Sequence, residues 1–66
     1  MEIEYTVHFQ KGSRVGARSL RMVHVLAVTS SQAIAKARIE FPTARQDGYR
    51  VTRVDHFDAD GHIVID

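Results

Sequence analysis

Four histidines, His8, His24, His56 and His62, are the side chains of this sequence best suited to holding a metal or moving a proton. No two of them have the spacing of a local metal motif. His56 and His62 nevertheless flank an acidic stretch, so His56, Asp58 and His62 become candidate metal ligands if the chain folds back between them. The run His56-Phe57-Asp58-Ala59-Asp60-Gly61-His62-Ile63 also has acids two apart and then a glycine, as a calcium loop does. It departs from that loop where a carboxylate should open it, at His56, and no helix leads into it. A hairpin turn explains the same residues more simply, with Gly61 supplying a left-handed conformation. No cofactor is expected.

The apparatus of catalysis is missing from the residue pattern. The chain has no cysteine, its one Ser/Thr cluster is needed to start a helix, and no glycine-rich turn joins a strand to a helix to cradle phosphate. The carboxylate pairs Glu2/Glu4 and Asp58/Asp60 lie two apart, which on a strand places both on an open face without the desolvation that raises a pKa for general-acid work. A non-enzymatic protein is expected.

Charge is the next source of function. The net charge is only +1, but all nine basic residues lie between Lys11 and Arg53, where Glu40 and Asp47 are the only acids; that span carries +7 and the two ends carry −6. If the ends meet in space the molecule is dipolar. Lys11, Arg14, Arg18 and Arg21 fall in and just after a glycine-containing loop, and Arg50 and Arg53 fall around a later strand. These six are the candidate phosphate contacts for nucleic acid. Tyr49 is the only aromatic residue directly adjacent to any of them in sequence, and the helix carries just Lys36 and Arg38 as basic residues, so neither base stacking nor a recognition helix is evident.

The elements that must position these groups follow from periodicity. From Glu2 to Gln10 apolar and polar residues alternate, with Ile3, Tyr5, Val7 and Phe9 on one face. A loop over 11–19, longer than a tight hairpin needs and expected to be mobile, leads into a second strand over about 20–28. That strand is apolar on both parities: Val23, Val25 and Ala27 on one side, Leu20, Met22, Leu26 and Val28 on the other, interrupted by His24. A half-solvated strand should have one polar side. Thr29-Ser30-Ser31-Gln32 then reads as a capping box, and Ala33, Ile34, Ala37 and Phe41 form a stripe that ends at Pro42. Ile39 falls nearly opposite the stripe. Residues 49–57 form a third strand in which Val51 and Val54 have opposite parity, so a bulge near Thr52 or Arg53 is needed to bury both. After the turn, His62 to Ile65 is the last strand.

The order strand, strand, helix, strand, strand predicts one α+β domain over 1–66, with a four-stranded, mainly antiparallel sheet and one helix on one face. A chain of 66 residues buries about 60% of its unfolded surface, so its stability margin is thin. A homodimer is one remedy. Leu20, Met22, Leu26, Val28 and Ile39 are the candidate partner-binding residues, for another copy or another protein. The chain has no signal-like start and no run long enough to span a membrane, which makes the cytoplasm the expected location.

The run Val25-Leu26-Ala27-Val28-Thr29-Ser30-Ser31-Gln32-Ala33-Ile34-Ala35-Lys36-Ala37 resembles the strand-to-helix passage of many small bacterial and bacteriophage accessory proteins of unassigned function. It covers about a fifth of the chain. The resemblance implies a phage or mobile-element protein that binds a host component, and it transfers no site residues.

Overall fold

A computed structural model describes residues 1–12 and 19–66. The elements run β1 (Ile3–Lys11), β2 (Ser19–Ala27), α1 (Ser30–Glu40), β3 (Arg50–Phe57) and β4 (Ile63–Ile65). They form one four-stranded antiparallel sheet in the order β2-β1-β3-β4, with α1 on one face. The fold is α+β. Because β2 and β3 both pair antiparallel with β1, they run parallel to each other with β1 between them, and α1 makes the crossover.

The β1–β2 ladder extends from Ile3↔Ala27 to Lys11↔Ser19, so Lys11 and Ser19 end strands instead of lying in the loop. On β3 the register passes from His8↔Arg53 to Phe9↔Val51, leaving Thr52 as the extra residue of a bulge. That bulge puts Val54, buried, and Val51, half-buried, on the same face.

The helix starts as its sequence requires. Thr29 Oγ1 accepts from the Gln32 amide at 3.1 Å, while Gln32 Oε1 accepts from the Val28 amide at 2.8 Å, one residue earlier than in a standard capping box. Ala33 and Ala37 are fully buried, small enough to let α1 lie close on the strands. Phe41 closes the helix, its amide donating to the Ala37 carbonyl, and Pro42 follows. The connection 42–48 is a series of turns that buries Ala44, so it contributes to the core despite its polar composition.

Tyr5, Val7 and Phe9 of the central strand carry the core, with Val25, Ala27, Val54 and the helix alanines packed around them. Phe41 bridges its far end, edge-on to Phe9 at 5.3 Å and to Tyr49 at 5.1 Å between ring centroids. No helix among the described residues is long and apolar enough to cross a membrane.

Candidate functional site

The sheet face away from α1 has a polar centre and two apolar margins. Thr6 and His8 of β1 and Asp55 of β3 form the centre. Asp55 is buried there because its Oδ2 accepts from His8 Nε2 at 2.9 Å and from Arg53 Nε at 2.7 Å, and Thr6 Oγ1 lies 2.9 Å from His24 Nδ1. Polar groups held this way are satisfied by the protein itself; among the described residues no buried side-chain polar atom lacks a partner. No local pattern announces the His8–Asp55 contact, which joins residues 47 apart.

One margin is β2. Leu20, Met22 and Leu26 are 59%, 52% and 56% exposed on the outer face, while Val25 and Ala27 of the other parity are buried. Among the described residues β2 pairs only with β1, so its second edge is bare. On the helix side of the same edge, Ile39 is 75% exposed and overhangs a groove of about 400 Å³ that Val25, Leu26 and Lys36 also line. Val28 is exposed where β2 ends. The five candidate partner-binding residues therefore surround one strand edge. Lys36 Nζ donates to the Leu26 carbonyl at 2.7 Å and to Glu2 Oε2 at 3.1 Å. A carbonyl has a second lone pair, so this contact leaves Leu26 able to accept once more.

The other margin, Phe57, Ile63 and Ile65, is also exposed. β4 is only three residues long, with Asp66 at its end and Asp58 and Asp60 in the turn before it.

Register settles the charge pattern. Ile3↔Ala27 and Tyr5↔His56 bring Glu2, Glu4, Asp58 and Asp60 to one end of the sheet; Lys11↔Ser19 and Gln10↔Arg50 bring Lys11, Arg21 and Arg50 to the other. The molecule is dipolar along its strands. At the basic end Arg21 lies 4.4 Å over the Phe41 ring and Lys11 lies 5.3 Å over Tyr49. Parity puts Arg21 on the helix side, opposite Leu20 and Met22, so Arg21 does not rim the apolar outer face of β2. Arg53 is committed to Asp55 and is not part of the basic end. Arg14 and Arg18 lie outside the described residues.

The hairpin candidates separate as well. Asp58, Asp60 and His62 place one ligand atom each within 4.8 Å of one another, all exposed. His56 is not among them: it pairs with Tyr5 on the helix-covered side, edge-on to its ring at 5.2 Å, and its Nδ1 donates to Asp66 at 2.8 Å. Asp58 is a turn former. Its Oδ1 accepts from the amides of Asp60 and His62, both at 2.9 Å, and Gly61 takes a φ of 83°.

The fold and these surfaces define a small α+β sheet protein with one bare apolar edge and one basic pole. Compared with known proteins, the chain matches no family model, no curated protein and no solved structure.

Proposed function

We propose that this protein is a non-enzymatic interaction module that works as a homodimer, joined by antiparallel pairing of β2 with the β2 of a second copy. The observation that carries this reading is the bare, nine-residue β2 edge with Leu20, Met22 and Leu26 exposed beside it. Pairing about Val23, the middle of the strand, sets Leu20 against the partner's Leu26 and Met22 against the partner's His24. A broken apolar margin becomes a continuous stripe. The same antiparallel arrangement lays the basic end of each chain beside the acidic end of the other, so the dipoles attract. Ile39, overhanging the groove, packs over the joined edges, and Val28 borders them.

Burial of these side chains at about 25 cal/mol per Å² of apolar surface supplements a core too small for a wide margin. The passage over 25–37 supports a phage or mobile-element origin with a host component as a further partner, and the cytoplasm as the place of action.

The test is Leu26→Asp. Sedimentation velocity should show the unmutated chain as a dimer and the variant as a monomer, with far-UV circular dichroism nearly unchanged because Leu26 contributes nothing to the core. A variant that sediments like the unmutated chain rules out the β2 pairing.

A further inference from the structure

The groove along the bare β2 edge, lined by Val25, Leu26, Lys36, Ile39 and Glu40, holds one charge that its own chain does not answer. Glu40 is the last residue of α1, where the helix presents partial negative charge, so its carboxylate is at the unfavourable end of the dipole. The cation best placed to offset it is Lys36, four positions earlier on the helix. Lys36 turns away instead, its Nζ donating to the Leu26 carbonyl and to Glu2. His24 also lines the groove, but its Nδ1 lies 2.9 Å from Thr6 Oγ1 on the outer face. Among the described residues Glu40 forms no salt bridge.

Arg21 is the matching cation. It is exposed, its guanidinium lies 4.4 Å over the Phe41 ring, and among the described residues no carboxylate is within salt-bridge distance of it. Attraction to a ring face leaves the N–H fork available to a carboxylate. Within one chain Arg21 is four residues along β2 from Val25, the groove residue of its own parity. Antiparallel pairing about Val23 removes that separation, because it sets each Arg21 directly across from the partner's Val25, on the side of the joined sheet where Glu40 stands. Side chains so opposed are about 4.5–5.5 Å apart at Cβ, which an arginine spans easily.

We infer that in this dimer the Arg21 guanidinium of each chain enters the groove of the other and pairs with Glu40, and that the two symmetric ion pairs fix the register of the β2 strands. The inference rests on the β2 pairing proposed above and deepens it. A slip of two residues keeps every side chain on its own face, so the apolar outer parity of β2 selects weakly among registers. The same slip moves Arg21 opposite the partner's Val23 or Ala27, neither of which lines the groove. Charge therefore rejects what apolar contact tolerates.

Charge exchange in the full chain tests it, with the dimer dissociation constant measured by sedimentation equilibrium at low salt, where exposed pairs are least screened. The samples are the unmutated chain, Arg21→Glu, Glu40→Arg, the double variant, and an equimolar mixture of the two single variants. Each single reversal brings like charges together at two places and should weaken the dimer about tenfold. Arg21→Glu also gives up the Phe41 ring, whereas Glu40→Arg leaves that contact in place and so isolates the charge. The double variant should recover the affinity, and so should the mixture. In the mixture one chain carries carboxylates at both positions and the other guanidiniums at both, so attraction can arise only between chains. A dimer whose affinity neither reversal changes, or a mixture as weak as the single variants, overturns the Arg21–Glu40 pair and leaves β2 pairing standing. An unmutated chain that stays monomeric removes the β2 pairing itself, and this pair with it.

Discussion

The two edge strands, β2 and β4, are both apolar and both exposed, yet they are built differently. β4 has three residues, a charged neighbour at its end and a turn with two acids before it, which are the devices by which sheets prevent unwanted pairing. β2 has nine residues and, on its outer face, a single polar interruption at His24. Its one charged residue, Arg21, is turned to the helix side over Phe41. Exposure of Ile63 or Leu26 alone says little. Length and the placement of charge separate an edge that is protected from one left open to a partner.

This contrast can be broken at several levels. Phe9→Ala removes a fully buried ring from the central strand, at a cost of about 3–5 kcal/mol, which matches the whole margin of a core this size. Both edges should be lost together, and a thermal melt should show no cooperative transition. Leu26→Asp should instead abolish association while leaving the fold. Gly61→Ala is smaller still: a Cβ meets nothing within 4 Å, so the penalty is the left-handed backbone, about 1–2 kcal/mol. Hydrogen exchange should then quicken at Ile63, Val64 and Ile65 and stay unchanged across β2. Ile63→Asp should have the least effect, within about 0.5 kcal/mol, with no change in mass. If Ile63→Asp dissociates the protein and Leu26→Asp does not, the assignment of edges is reversed.

Much of the architecture was legible locally. The alternation of Ile3, Tyr5, Val7 and Phe9 marks β1 as a strand with one buried face, the parity clash of Val51 and Val54 calls for a bulge near Thr52 or Arg53, which the register places at Thr52, and Thr29 with Gln32 fixes the helix start. The apolar outer parity of β2 was legible too, and Leu20, Met22 and Leu26 are indeed exposed. What local pattern does not carry is which strands become neighbours. Placing β3 beside β1 brings Asp55 to His8 and turns Arg53 away from the basic end. Phe41 likewise lies under Arg21, an aromatic contact that their separation in sequence hides. His56 left the hairpin cluster for a related reason: its parity is opposite to that of Asp55 and Phe57, so it faces Tyr5. A cavity lined by the end of α1, the turns of 42–48 and the start of β3 opens at the basic end, and no local pattern announces it because it depends on three elements at once.

The mass of the unmutated chain in solution bears most directly on the open β2 edge. Multi-angle light scattering at high micromolar concentration should give twice the 7.5 kDa of one chain. A mass equal to a single chain at that concentration would contradict assembly through β2.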